Sequence, residues 1–204
     1  MSEEIKNKVI EMLGDRIPAR AGEEEWLEHY LEYWQLFLEA QKVSAIEGDF
    51  AELGVARGES ARMICEGKGD KLLHLFDTFE GLPEPEKIEK TRFNFFKGKY
   101  KGDFDEVRKY LKNYERVIFY KGFFPDSAES AKEIMFSFVH LDADLRKTTE
   151  EGLKFFYPRL VTNGIIIAHD FRARFIGSVF EEFFKDKPEK IEFLFDGQCI
   201  VRKK

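Results

Sequence analysis

From Asp49 onward the chain alternates apolar runs of strand length with segments of helical periodicity, and this alternation restricts the fold more than any other feature. Strands are expected at Asp49–Val55, Lys71–Asp77, Arg116–Lys121, Ser137–Asp142 and Gly164–Ala168. Helices are expected between them at Gly58–Glu66, Phe104–Tyr114, Ala128–Glu133 and Thr148–Tyr157, with a last one at Gly177–Lys185. The run Gly164–Ala168 is Ile-rich and lacks polar alternation, as in a strand covered on both faces. Strands joined through helices run parallel with right-handed crossovers, so the expected class is α/β, a doubly wound sheet with helices on both faces. Ile191–Phe195 and Cys199–Arg202 flank Asp196-Gly197, a hairpin turn signal, which would add an antiparallel hairpin at the C-terminal edge.

Ahead of this pattern, Trp26, Leu27, Tyr30, Leu31, Trp34, Phe37 and Leu38 recur at three- and four-residue steps within a helix from about Glu24 to Val43. Residues 1–45 are therefore expected to form a helical cap on a single domain of 204 residues, or an oligomer surface. The aromatic content of that stripe favours a homo-oligomer.

Composition narrows the function. The net charge is −6, against the strong basic field that general nucleic-acid binding requires. The N-terminus is acidic and helical rather than a basic start followed by an apolar run, and no stretch is long enough to span a bilayer. A cytoplasmic location with no membrane partner is the expectation. Cys65 and Cys199 are far apart, and reduced, buried thiols are expected.

In an open parallel sheet, ligands sit beyond the carboxyl ends of the strands. There this chain carries Glu52 with Gly54, Asp77, Gly122, Asp142 with Asp144, and His169 with Asp170. The segment Glu52-Leu53-Gly54-Val55-Ala56-Arg57-Gly58 suits a tight strand-to-helix turn with close backbone approach to a ligand, but it lacks the GxGxxG dinucleotide fingerprint. An acid just before the first glycine suits a cationic ammonium end better than a pyrophosphate, which points to adenosylmethionine. Asp77 ends the second strand and is placed to accept both ribose hydroxyls of an adenosine ligand. Asp142, Asp144, His169 and Asp170 lie on two neighbouring strand ends. Such oxygen and imidazole groups can hold a divalent ion that orients a substrate hydroxyl and lowers its pKa, with a nearby carboxylate taking the proton. Alternatively, some of these acids cap helices, Asp144 foremost.

The stretches GDFAELGVARGESARMI, LFDTFEGLPEP, YKGFFPDS, FVHLDADL and FYPRLVTNGIIIAHDF, in order from Gly48 to Phe171, resemble the macrocin O-methyltransferase family of antibiotic sugar O-methyltransferases. The resemblance implies a Rossmann-like fold, S-adenosyl-L-methionine and Mg²⁺-dependent methylation of a small-molecule hydroxyl. By position it implies cofactor contacts from Glu52, Gly54, Gly58, Ser60, Asp77, Thr78, Phe79 and Asp142, with Gly122, Asp126 and Ser127 near the adenine. It implies metal ligation by Asp142, His169 and Asp170, and a general base at Asp144, with His169 as the competing base. Two positions depart from the family pattern. The family usually has an acid where this chain has His169, and a Tyr where it has Arg146. Imidazole is a poor Mg²⁺ ligand and a good one for transition metals, so a transition metal becomes the alternative. A metal-independent methyltransferase, a noncatalytic adenosylmethionine-binding protein and a nucleotide-dependent oxidoreductase, disfavoured by the absence of GxGxxG, are the remaining readings.

Overall fold

The computed structural model of the chain describes residues 3–13, 23–194 and 197–204. Two helices, α1 (Glu3–Leu13) and α2 (Glu23–Val43), precede β1 (Asp49–Leu53). There follow α3 (Glu59–Gly67), β2 (Leu73–Asp77), α4 (Lys87–Phe93), α5 (Phe104–Tyr110) and β3 (Val117–Lys121). A 3-10 segment at Asp126–Ala131 leads to β4 (Phe136–Leu141), α6 (Arg146–Phe156), a 3-10 turn at Tyr157–Arg159 and β5 (Leu160–Ala168). The chain closes with α7 (Arg174–Phe184), β6 (Ile191–Phe193) and β7 (Cys199–Arg202).

The sheet order is β3-β2-β1-β4-β5-β7-β6. The first five strands pair in parallel, and β7 lies antiparallel between β5 and β6. The expected α/β sheet with an antiparallel C-terminal hairpin is therefore present. Within the hairpin signal, Gly197 has φ +100°, and Asp196 lies outside the described residues.

Strand residues alternate between two cores, as the two-residue period of a strand requires. Ala51, Leu53, Phe76, Val139, Leu141, Ile166 and Ala168 pack with α6 and α7 through Leu153, Phe156, Val179 and Phe180. Phe50, Leu73, Leu75, Phe138, Ile165 and Ile167 face the other way, against α2, α3 and α5 through Leu36, Ala40, Ile64 and Val107. α2 thus lies over β4 and β5 on one face. That position brings its polar residues to the carboxyl edge of the sheet. On the far side of α2, Tyr33, Trp34 and Phe37 pack against Val9 and Leu13 of α1 and Met63 of α3. Part of the aromatic stripe is therefore covered by the chain itself. The side chains of Trp26 and Tyr30 lie outside the described residues.

Several boundaries differ from the sequence expectation. The Phe104–Tyr114 helix stops at Tyr110, capped at its start by Asp103, whose side chain accepts from the Glu106 amide at 3.0 Å. Ala128–Glu133 is a 3-10 segment starting at Asp126. β5 begins four residues early, where the exposed polar pair Thr162 and Asn163 interrupts the apolar run. α4 was not expected at all. It is held by a capping box between Glu86 and Glu89 rather than by apolar periodicity. Cys65 and Cys199 are free and buried, and burial pushes both thiols up to about 12. No helix among the described residues is long and apolar enough to cross a membrane.

Candidate active site

The β1–α3 turn forms one wall at the carboxyl edge. Gly54 has φ +89°, and a Cβ there would stand 1.9 Å from the Asp142 carbonyl oxygen. Only glycine lets the β1 and β4 ends approach this closely. Gly58, at φ +90°, is the N-cap of α3 and turns the chain into the helix. Asp77 reaches across from β2 and holds this turn. One carboxylate oxygen accepts from the Val55 and Ala56 amides at 2.6 and 2.9 Å, and the other accepts from Phe79 at 2.6 Å. A carboxylate offers about four acceptor positions, so three backbone amides leave one for a ligand hydroxyl.

Thr78 and Phe79 shape the following loop. The Thr78 hydroxyl donates to the Gly81 carbonyl at 3.1 Å, and Phe79 is buried against Phe104 with ring centroids 5.0 Å apart. On the third strand's loop, the Gly122 amide donates to the Asp77 carbonyl at 3.0 Å, and Asp126 is exposed. The Ser127 hydroxyl is buried without a hydrogen-bond partner. Ser60, in the first turn of α3, is also buried.

Glu52 is fully buried and paired with His140, its register neighbour on β4. His140 Nδ1 stands 2.8 Å from Glu52 Oε1, while Glu52 Oε2 and His140 Nε2 lack partners. Burial pushes the Glu52 carboxyl up to about 8 and pulls His140 down to about 4, so the pair is neutral near pH 7.

The second wall is acidic and comes from the ends of β4 and β5. Asp142, His169 and Asp170 present ligand atoms within 4.8 Å of one another. His169 Nδ1 lies 3.4 Å from Asp142 Oδ1 and 3.3 Å from Asp170 Oδ1. Its Nε2 lies 3.4 Å from Glu32 Oε2, on α2. The His140 ring stands edge-on to the His169 ring, centroids 6.2 Å apart. Burial pulls the His169 imidazole down, but Asp142, Asp170 and Glu32 outweigh it and hold it well above 6.5. Burial also pushes Asp142 up, with His169 opposing, and raises Asp144 further with help from Asp142 and Asp170. Asp144 has φ +56°, and the N-cap of α6 is Leu145, with no side-chain cap. The helix-capping alternative for Asp144 is therefore not realised.

Two groups here were not singled out from sequence. Glu32 falls beside the apolar stripe of α2 and has no local signal of its own. Tyr33 is half-buried, and burial foremost, with the charges of Glu59 and Asp142, raises its hydroxyl above the ordinary value. Beside the acidic wall, Glu86, Ile88, Glu89, Arg92, Phe93, Arg146, Phe175 and Ser178 line a groove of about 400 Å³. Its corner is locked by buried Glu89, which accepts from the Arg146 amide at 2.9 Å and the Glu86 amide at 2.7 Å. A larger cavity of about 750 Å³ opens at the opposite edge, at the amino ends of β1, β4 and β5, remote from these groups.

Residues 28–193 match the family model for macrocin-O-methyltransferase (TylF). The chain belongs to the macrocin-O-methyltransferase family. Among curated relatives of this family member, 8-demethyl-8-(2,3-dimethoxy-alpha-L-rhamnosyl)-tetracenomycin-C 4'-O-methyltransferase of Streptomyces olivaceus is 28% identical over 155 residues, 69% of this chain and 59% of the relative. Demethyldecarbamoylnovobiocin O-methyltransferase of Streptomyces niveus is 26% identical over 143 residues, 62% of this chain and 53% of the relative. The match thus spans less than two thirds of the length of either. The O-methyltransferase NovP shares the fold with TM-score 0.74 at 20% identity, over 85% of this chain and 80% of NovP. The calicheamicin methyltransferase CalS11 does so with TM-score 0.74 at 15% identity, over 98% and 91%. The sheet of this macrocin-O-methyltransferase homologue is therefore the Rossmann-like methyltransferase sheet.

Proposed function

We propose that the protein is an S-adenosyl-L-methionine-dependent O-methyltransferase acting on a hydroxyl of a small molecule, a sugar foremost, with help from a divalent ion. The observation that carries this reading is the meeting of two unlike walls at one sheet edge. The Glu52–Gly54–Asp77 turn faces the Asp142–Asp144–His169–Asp170 cluster across the close contact of Gly54 with Asp142. The two curated relatives are named as O-methyltransferases, one of them of a rhamnosyl-bearing compound, and support the same reading.

The cofactor fits the first wall. Glu52 Oε2 and Ser127 Oγ are buried polar atoms without partners. Glu52 would take the ammonium end, Asp77 a ribose hydroxyl on its remaining lone pair, and the Gly122–Ser127 loop the adenine. The divalent ion fits the second wall, where two carboxylates and His169 Nδ1 converge. When bound, it would supply a Lewis acid that lowers the pKa of the acceptor hydroxyl. Asp144 is the better base. Both nitrogens of His169 already face carboxylates, whereas the Asp144 carboxyl, pushed up by burial and acidic neighbours, would be freed of its proton by the charge of a divalent ion bound beside it. The groove lined by Arg92, Phe93, Arg146 and Phe175 would hold the rest of the acceptor. The chain then aligns the hydroxyl with the methyl group for in-line displacement and excludes water.

The test is methyl transfer from labelled adenosylmethionine to a panel of hydroxylated sugars and polyols, with and without chelator, alongside calorimetry of cofactor binding. No detectable cofactor binding would sink the whole reading; full activity after exhaustive chelation would sink the ion alone. A cytoplasmic homo-oligomer remains part of the proposal, and light scattering that finds a monomer at micromolar concentration would refute the oligomer.

A further inference from the structure

We infer that Glu32 is a positioning residue for metal ligation by His169, so that α2 completes a divalent-ion site laid out by the ends of β4 and β5. The inference rests on the metal-assisted reading above. A histidine binds a metal through one ring nitrogen only, and the hydrogen bond made by the other nitrogen sets the tautomer and ring orientation. Here the two nitrogens of His169 face different surroundings. Nδ1 looks into the cluster, 3.4 Å from Asp142 Oδ1 and 3.3 Å from Asp170 Oδ1. Nε2 points away, to Glu32 Oε2 at 3.4 Å.

Glu32 lies outside the converging ligand set of Asp142, His169 and Asp170. It is buried, whereas an acid on a helix flank with no role would ordinarily be solvated. With Nε2–H held toward Glu32, Nδ1 is the nitrogen left to ligate, exchanging its 3.3 Å hydrogen bond with Asp170 Oδ1 for the ion. The His140 ring, edge-on to the His169 ring, limits its tilt from the adjoining strand. Carboxylate, imidazole and cluster thus form a directed chain from α2 into the site. A charged acceptor behind the ring also raises the basicity of the ligating nitrogen.

The experiment measures Mn²⁺ affinity by calorimetry in four proteins: wild type, Glu32→Leu, His169→Asp and the double variant. Wild type and Glu32→Leu are also examined for nitrogen coupling to bound Mn²⁺ by pulsed electron paramagnetic resonance. Loss of an orienting partner of a ligating histidine weakens metal binding by about 10–100-fold. Glu32→Leu is expected to weaken Mn²⁺ binding by at least about tenfold in the wild-type background, and by less than about threefold once His169 is Asp, because no second nitrogen then needs a partner. Glu32→Gln, which keeps an acceptor without the charge, should fall between wild type and Glu32→Leu and covers the case of a poorly folded Leu variant. Equal losses in both backgrounds would reduce Glu32 to a packing residue and overturn the inference, as would wild-type affinity in Glu32→Leu. If wild type binds Mn²⁺ without nitrogen coupling, the metal reading stands and the role of Glu32 falls. If wild type binds no divalent ion, the metal reading falls first and takes this inference with it.

Discussion

Replacing Glu52 with Gln removes one buried proton-binding group while keeping its shape, and the structure sets the size of the effect. In the folded protein burial holds the Glu52 carboxyl at about 8, against 4.5 ordinarily, and His140 at about 4, against 6.5. A carboxyl raised in this way keeps its proton in the native state after the unfolded chain has lost it. Its contribution to stability is full below 4.5 and is lost as pH rises toward 8. His140 acts with the opposite sign, because the unfolded chain takes up a proton below 6.5 that the native state refuses. Between 4.5 and 6.5 the two slopes oppose each other, and above 6.5 only Glu52 still titrates. At roughly 1.4 kcal/mol per pH unit, the interval from 6.5 to 8 costs the wild type about 2 kcal/mol that Glu52→Gln does not lose. Other titrating groups are common to both proteins, so the difference isolates Glu52. Urea denaturation of the two cofactor-free proteins at pH 6.5 and 8 measures it. Wild type and variant whose stabilities change in parallel over that interval would refute the neutral buried pair. Calorimetry on the same samples should show weaker adenosylmethionine binding by Glu52→Gln, since an amide oxygen can accept from the ammonium but cannot become the anion that Glu52 becomes on giving up its proton there.

Asp77→Ala should weaken adenosylmethionine binding several-fold or more and also lower the melting temperature, because the carboxylate holds the Val55, Ala56 and Phe79 amides; unchanged cofactor affinity would remove Asp77 from the site. Gly54→Ala places a Cβ against the Asp142 carbonyl at a positive φ, and a loss of about 2–4 kcal/mol by chemical denaturation is expected. A variant as stable as wild type would mean that the β1 and β4 ends are not packed this closely. His169→Asp makes the donor set all oxygen and should shift preference from Mn²⁺, Co²⁺, Ni²⁺ or Zn²⁺ toward Mg²⁺; competitive metal titrations that rank the ions identically in both proteins would exclude His169 as a ligand.

Much of the sheet was legible in the sequence because a strand carries its own signal. Apolar runs at 49–53, 73–77, 117–121, 136–141 and the Ile-rich end of β5 report burial locally, and glycines or acids mark where each run stops. The convergence of three side chains at the carboxyl edge was legible for the same reason. Asp142, His169 and Asp170 sit just past the ends of two strands that had to be neighbours in a parallel sheet. α4 was not legible, since it starts on the Glu86–Glu89 capping box and buries the acid Glu89 rather than a periodic run of apolar residues.

The amino-acid sequence by itself determined the strand-helix order, the family and the acids at the carboxyl edge, all of which follow from residue type and spacing along the chain. The tertiary structure alone decided what those acids do to one another. Glu52 and His140 are 88 positions apart and become partners only through the β1–β4 register. Asp77 is drawn partly into holding a backbone turn 22 residues upstream. Glu32 reaches His169 because α2 lies over β4 and β5, a placement set by how apolar side chains fill one face of the sheet. Periodicity says that a helix has a buried side. Which polar residue at the margin of that side arrives at which strand end depends on crossing geometry, and the sum of side-chain volumes across the interface sets that geometry.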